Sequence, residues 1–345
     1  MNKMDQKQDL KVCFISDVPE NVREYLIKAL KELSTVKLIF PKKQTKEYLF
    51  KLTEDAQILI GWRPSFELLK HAENMKYFIN PGTGIHHLLK DFKELNKKRK
   101  VILINGHGNS YFVAQHTVAL LLCFMNMIIP HHGWMKEGIW RTGDNDAASI
   151  PLRFKEVGLL GYGAINTKVH KMLSGFDVNF SILRRDWSTA KNRYPTNFKE
   201  YDYHQLHDFL EEVNILIIAV PVTKLTENMI GERELNLLGS EGILVNVSRG
   251  EVVNQQALYY ALKNKVIYGA AIDVWYDYNP KTDDQGRKYP FKFPFHELNN
   301  VILSPHRGYS PFNDLLRWNE VIENIKRIAH NRKDLLNIVD LEKEY

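Results

Sequence analysis

The chain has 345 residues, 44% of them apolar and 26% charged, and a formal net charge of +6 from 47 basic and 41 acidic side chains. That balance excludes a disordered chain and leaves room for two domains of ordinary size, each with its own core. The two cysteines, Cys13 and Cys123, stand far apart inside apolar runs; this excludes a zinc site or a disulfide framework and suits a reducing, cytoplasmic setting.

The opening MNKMDQKQDLK has no apolar core, so no secretory leader is expected from it. Strands are predicted at Val12–Ser16, Val36–Phe40, Ile58–Gly61, Tyr77–Asn80 and Val101–Ile104, with amphipathic stretches such as Val22–Leu33 between them. The longest apolar segment, Tyr111–Pro130, carries Gln115, His116, Thr117 and Asn126. A membrane span tolerates few such residues, so one long buried helix is predicted over Ser110–Ile129. A polar loop, Asp144–Arg153, leads into a second series of strands: Val157–Leu160, Val178–Leu183, Ile215–Val220, Gly242–Val247, Val266–Asp273 and Val301–Ser304. Helices are predicted to start near Ala164, Glu232, Asn254 and Pro311. A second long loop, Asp277–Leu298, is rich in aromatic residues and proline; such a loop either covers a ligand or packs as an insertion.

Strands alternating with helices imply an α/β chain with two doubly wound, Rossmann-like parallel sheets. The last helix, over about Pro311–Asn331, is expected to return to the first domain and make it discontinuous. The expected domains are then 1–107 with 309–345, and 108–308.

Three segments carry chemistry. In VGLLGYGAIN (157–166) a strand runs straight into Gly161-Tyr162-Gly163. Gly161 permits a tight turn, Gly163 lets the backbone approach a pyrophosphate, and the next helix points its free N–H groups at that anion. Asn166 replaces the last glycine of the fingerprint, and its Cβ is expected to push the helix slightly outward. The following strand ends in Arg184 and Arg185, 23 and 24 residues after Gly161. Guanidinium groups there suit a 2′-phosphate, so NADP(H) is favoured over NAD(H); Asp186 follows beyond the usual place of an NAD-binding carboxylate. In LVNVSRG (244–250) Arg249 emerges at a strand end, able to hold a carboxylate bidentately. In VILSPHRG (301–308) His306 emerges at another strand end, a candidate proton donor to the same crevice. Metal is not required by any of these residues. The basic excess is scattered, with no stripe or helix-turn-helix to suggest nucleic acid.

Together with INPGTGIHHL (79–88), NSYFVAQHTVALLL (109–122), AVPVTKLTENMIGERELNLL (219–238) and AAIDVW (270–275), these motifs occur in the order of the D-isomer-specific 2-hydroxyacid dehydrogenases. The chain resembles that family over nearly its full length. The resemblance implies hydride transfer between a nicotinamide and a small 2-oxo or 2-hydroxy acid, with 108–308 as the dinucleotide-binding domain and the remainder as the substrate-binding one. It implies that Arg249 clamps the substrate carboxylate and His306 is the acid and base. Gly84 and Ile85 would offer backbone N–H groups to the carboxylate, and Arg63 is a further candidate for reaching it. Tyr162, Ala164 and Ile165 would join Gly161 and Gly163 around the pyrophosphate. Ala219, Val220, Pro221 and Asp273 would contact the nicotinamide half. The resemblance also implies a homodimer with Ser110–Ile129 in its interface. Two domains joined at short crossings near Asn105–Gly108 and Gly308–Ser310, where glycines absorb backbone rotation, are expected to close on a ligand.

The family's third catalytic residue is a glutamate five residues after the aspartate. Counting from Asp273 lands on Tyr278, alignment on Pro280 lands on Asn279, and Asp277 is the nearby carboxylate. Asp277 is taken as the candidate, with Tyr278 and Asn279 as alternatives. Without a carboxylate His306 would hold its proton less well. That departure keeps open a second reading, a weakly catalytic NAD(P)-sensing binding protein of corepressor type.

Overall fold

A computed structural model describes residues 9–140, 147–188, 193–311 and 313–345. The chain divides into two compact units, one within 1–109 and 311–345 and one within 110–310.

The first unit begins with β1 (Leu10–Phe14), α1 (Glu20–Leu30), β2 (Val36–Ile39), α2 (Lys46–Thr53), β3 (Ile58–Ile60), α3 (Phe66–His71), β4 (Tyr77–Asn80), α4 (His86–Asn96) and β5 (Ile102–Asn105). The strands form a parallel sheet in the order β2-β1-β3-β4-β5. Parallel strands bury both faces, which is why Ile58-Leu59-Ile60 is apolar without alternation. One face packs Phe78, Leu88 and Phe92. The other packs Phe14, Ile60 and Ile79 against Val321, Ile322, Ile325 and Ile328 of the C-terminal helix. That helix, Asn319–Ala329, is shorter than its apolar pattern suggested. It follows a 3-10 turn, Leu315–Trp318, that Asp314 caps by accepting from Leu316 N at 2.7 Å. Beyond it the tail adds an antiparallel edge to β5, through Asn105 N–H to Asn337 O and Val339 N–H to Leu103 O, both 2.9 Å.

The second unit holds α5 (Ser110–Met125), α6 (Ile128–Lys136), β6 (Glu156–Leu160), α7 (Asn166–Leu173), β7 (Asn179–Leu183), β8 (Lys199–Tyr201), α8 (Leu206–Glu212), β9 (Ile215–Ile218), α9 (Glu232–Leu238), β10 (Ile243–Asn246), α10 (Gln255–Lys263), β11 (Gly269–Ile272) and β12 (Val301–Leu303). The C-terminal helix of the first unit is then α11. Seven parallel strands lie in the order β12-β11-β10-β9-β6-β7-β8. The chain lays strands outward from β6 to β8, then returns to the other side of β6 with β9. A crevice therefore opens beyond the carboxyl ends of β6 and β9, the usual ligand position in such sheets. The expected fold class, α/β with two doubly wound parallel sheets, is the one observed.

One sequence expectation needs correction here, and one open alternative is decided. The helix expected over Ser110–Ile129 is two helices: Met127 takes a left-handed conformation (φ 52°), and α5 and α6 are bent by 64°. α5 is buried by the core of its own unit, where Val113, Leu121 and Phe124 pack with Val157, Val169 and Ile215. α6 buries none of its residues. No single helix among the described residues is long and apolar enough to cross a membrane. The aromatic loop, Asp277–Leu298, is packing: Phe291, Phe293 and Phe295 lie against the core that holds Tyr259 and Trp275. Of the polar loop Asp144–Arg153, residues 144–146 lie outside the described residues.

Candidate active site

The turn after β6 is built as its glycines require. Gly161 has φ +83°, and a Cβ there would meet Val220 Cγ1 at 2.6 Å and Ala219 O at 2.9 Å. A side chain would therefore wedge β6 away from the end of β9. At Gly163 a Cβ would meet nothing within 4 Å. Its backbone is open to close approach, beside Ala164 and Ile165 at the start of α7. Asn166 does not wedge the helix outward as expected. It is fully buried, and its Nδ2 donates to Gly161 O at 2.7 Å, to Leu160 O at 3.3 Å and to Ile217 O at 3.4 Å. Where glycine would allow contact, this amide ties the helix to the ends of β6 and β9 by hydrogen bonds. Tyr162 turns into the unit: its hydroxyl pairs with His170 Nδ1 at 2.7 Å, and His170 Nε2 pairs with Thr196 Oγ1 at 2.8 Å. Burial pushes the His170 pKa down to about 4 and that of Tyr162 up to about 12, so both stay neutral. Pro221 is exposed, and its carbonyl accepts from Thr226 Oγ1 at 2.6 Å.

At the end of β7 the Arg184 guanidinium lies over the Trp187 ring, 5.3 Å from its centroid, and Trp187 stacks on Phe198. Arg185 is exposed. Asp186 turns its carboxylate to its own loop, accepting from Ser188 N at 2.8 Å and Ser188 Oγ at 2.6 Å.

At the other side of the sheet the ends of β10, β11 and β12 meet. Asn246 fixes the segment after β10, accepting from Ser248 N and Ser248 Oγ and donating to Arg249 O at 2.9 Å. Gly250 then passes so close to the next strand's exit that a Cβ would lie 2.5 Å from Trp275 O. Asp273, buried at the end of β11, accepts from Ser304 Oγ at 2.5 Å, Arg307 N at 2.7 Å and Gly308 N at 2.9 Å. Burial alone would raise its pKa, but these bonds and His116 hold the carboxyl below the usual range. His306 sits between Arg307 N and Ser304 with φ +54°, a conformation rare for a residue with a side chain. Its ring lies between Tyr278 and Tyr309, with centroids at 5.3 and 5.5 Å. Burial lowers the His306 pKa below 6.5; Asp273 opposes that shift and Arg249 adds to it.

Of the alternatives for the third residue, Tyr278 is the one against His306. Asp277, the sequence-based choice, is exposed and caps its own loop, accepting from Asn279 N at 2.8 Å. A short polar side chain after a strand closes such a turn readily. Asn279 is exposed as well. Among the described residues no three His, Cys, Asp or Glu side chains are grouped as a metal site needs.

In the first unit, the turn after β4 is held by Asn80, whose Nδ2 donates to Gly82 O and, at 3.3 Å, to Gly84 O, and by Thr83 Oγ1, which donates to Gly106 O at 3.1 Å. Gly84 and Ile85 lead from this turn into α4. Arg63 is exposed on the loop after β3. The glycines expected to act as hinges are close-packed instead. A Cβ on Gly108 would lie 1.9 Å from Arg317 O, and one on Gly308 would lie 2.8 Å from Asp273 Oδ2. Glycine is needed at both for close approach.

Residues 118–308 match the model of the family described as D-isomer specific 2-hydroxyacid dehydrogenase, NAD binding domain. The chain belongs to the D-isomer specific 2-hydroxyacid dehydrogenase family. It is 28% identical over 314 residues to a glyoxylate reductase of Thermococcus gammatolerans, covering 88% of this chain and 87% of that one. It is 26% identical over 333 residues to a D-3-phosphoglycerate dehydrogenase of Methanocaldococcus jannaschii, covering 95% of this chain but spanning only 60% of that relative. A solved D-isomer specific 2-hydroxyacid dehydrogenase of Xanthobacter autotrophicus Py2, in complex with NADPH and MES, shares the fold with TM-score 0.77 at 20% identity, over 98% of this chain and 100% of that one.

For a 2-hydroxyacid dehydrogenase family member, the turn after β6 passes a test of fit to a dinucleotide. The space a Cβ on Gly163 would fill is open, and Asp273 Oδ2, with one donor on it, keeps a lone pair for another. Sequence reasoning missed His116 and Ser304 as parts of the site. Their signal was present: a histidine inside the apolar run of α5, and a serine two residues before His306.

Proposed function

We propose that this family member reduces a small 2-oxo acid to the D-2-hydroxy acid, and runs the reverse reaction, with NADP(H) favoured over NAD(H). The observation that carries the reading is the convergence of Arg249, Asp273 and His306 at neighbouring strand ends, with His306 held at φ +54°. Arg249 grips the substrate carboxylate through two parallel N–H bonds and polarises the 2-oxo group. Gly84 and Ile85 present backbone N–H groups to the same carboxylate, and Arg63 reaches it from the loop after β3. Gly161, Tyr162, Gly163, Ala164 and Ile165 hold the pyrophosphate at the start of α7. Ala219, Val220, Pro221 and Asp273 orient the nicotinamide, which when bound supplies the hydride. His306 gives a ring proton to the substrate oxygen in reduction and takes it back in oxidation.

Tyr278, on which strict counting from Asp273 lands, supports this reading as the residue whose ring lies 5.3 Å from that of His306. A phenol adds no negative charge beside the imidazole, so His306 holds its proton weakly. Reduction, which needs the imidazolium, is full below the lowered pKa and fades as pH rises through it. Oxidation has the opposite profile. Arg184 and Arg185 support a 2′-phosphate through fork geometry and full charge, with Trp187 backing Arg184. The first unit, with α11, serves the substrate and the second serves the cofactor. A homodimer is supported by Ile128, Ile129 and Met135 of α6, which are 53%, 53% and 52% exposed; a monomer mass by light scattering would remove it.

The test is oxidation of NADPH and of NADH, followed at 340 nm, against a panel of 2-oxo acids, with Arg249→Ala alongside. Turnover that prefers NADPH and disappears in the variant supports the reading. Tight NADPH binding with no turnover on any acid would favour the corepressor-type sensor, for which the missing carboxylate at position 278 is the supporting observation.

A further inference from the structure

We propose that His116, on α5, is a positioning residue that locks the turn carrying His306. The inference deepens the reading of His306 as the acid and base. Its geometric part stands whether or not that reading does.

Ser304 Oγ lies 2.5 Å from Asp273 Oδ1 and 2.9 Å from His116 Nε2. A serine hydroxyl has one proton, and its shorter bond runs to the carboxylate, which can only accept. Ser304 therefore accepts from His116, so His116 carries its proton on Nε2. That same Nε2 lies 3.3 Å from Asp273 Oδ1, so one N–H serves the serine and the carboxylate together. Asp273 in turn takes Arg307 N–H and Gly308 N–H, the two amides that follow His306. The far end of the turn is pinned by Trp275 Nε1, which donates to Ser304 O at 2.8 Å. Gly308 packs into the same corner, where a Cβ would lie 2.8 Å from Asp273 Oδ2 and 3.4 Å from His116 Cδ2.

His306 is thus flanked on both sides by groups whose places depend on Asp273, while its own backbone is in a sparsely populated conformation. Such a conformation persists only when its surroundings over-determine it. His116 donates to Ser304 Oγ and so keeps its hydroxyl turned to donate to Asp273. Without it the serine is free to turn away, the carboxylate loses two of its contacts, and the turn relaxes. The groups facing the His306 ring are Asp273, Arg249, Tyr278 and Tyr309. Of these, Asp273 lies 3.3 Å from His116 Nε2, and the influence runs through that carboxylate.

The test is the imidazole titration of His306, followed by NMR in the intact protein and assigned by the resonance lost in His306→Gln. In the wild type the midpoint should lie below the ordinary histidine value, because the ring is buried. In His116→Leu, which removes the donor, release of the turn exposes the ring, and the midpoint should climb toward about 6.5. In His116→Gln, whose amide nitrogen reaches a similar place, it should stay where it is. Ser304→Ala cuts the same link without touching α5 and should behave as His116→Leu does, including where the leucine variant fails to fold. With a 2-oxo acid that turns over, kcat should fall about 10- to 100-fold in His116→Leu and return with His116→Gln. An unmoved midpoint in both His116→Leu and Ser304→Ala would overturn the proposal, and so would His116→Gln behaving as badly as His116→Leu. Absence of turnover in the wild type would count against the reductase reading alone, because the titration decides the role of His116 without it.

Discussion

The two parallel sheets end in different chemistry. In the first unit the carboxyl ends of β1, β4 and β5 carry Ser16, Asn80 and Asn105, and the buried atoms Ser16 Oγ, Asn80 Oδ1 and Asn105 Oδ1 have no partner. In the second unit the ends of β10, β11 and β12 carry Arg249, Asp273 and His306, and both carboxylate oxygens of Asp273 are bonded. A buried neutral atom left unpaired costs about 1–3 kcal/mol, whereas a charge left so costs far more. Neutral amides can therefore shape a turn such as 82–84 and tolerate an open valence. Buried charged groups have to be held by bonds. The pH dependence of the proposed reaction should then arise from groups of the second unit.

The largest expected effect breaks that comparison at its centre. His306→Asn should lower kcat by about 100-fold or more, the usual worth of a positioned acid, and steady-state rates within a few-fold of wild type would refute the assignment. Next, Arg184→Ala should raise the KM for NADPH by about 10- to 30-fold, the worth of a charge-assisted hydrogen bond, and leave the KM for NADH unchanged; an equal rise for both would take the 2′-phosphate away from Arg184. Tyr278→Glu places a carboxylate against the imidazole. It should move the pH midpoint of reduction upward by about one unit, because a nearby negative charge favours the protonated ring. An unmoved pH–rate profile would show that position 278 does not act on His306. The smallest effect sharpens the contrast from the other side. Asn80→Ala should lower unfolding stability by about 1 kcal/mol and leave the pH midpoint where it was.

Much of the fold was legible because buried parallel strands leave continuous apolar runs. Tyr77–Asn80 was read to the residue, and most other strands to within about two. β8 was missed because Lys199-Glu200-Tyr201 is short and polar, as a sheet edge can be. The break in the Ser110–Ile129 helix was missed because Met127 in a left-handed conformation has no signature in composition. At the site, Arg249 and His306 stood out because charged side chains directly after apolar strands are conspicuous. Asp277 drew attention as the nearby carboxylate, yet it caps its own loop, while strict counting from Asp273 lands on Tyr278, whose ring lies 5.3 Å from that of His306. Asn166 looked like a defect in a glycine pattern, and only its three carbonyl partners show how the amide does the glycine's work. The link from His116 through Ser304 to Asp273 spans 188 positions, a separation over which a single sequence carries no pairing signal.

The central claim is that Arg249 and His306 together reduce a 2-oxo acid. Its most direct test is the product: incubate the protein with NADPH and a responsive 2-oxo acid, then resolve the hydroxy acid on a chiral column. The D-hydroxy acid, formed in proportion to the NADPH consumed and absent with Arg249→Ala and His306→Asn, is the predicted result. NADPH consumption without hydroxy acid, or a product made equally well by both variants, would contradict it.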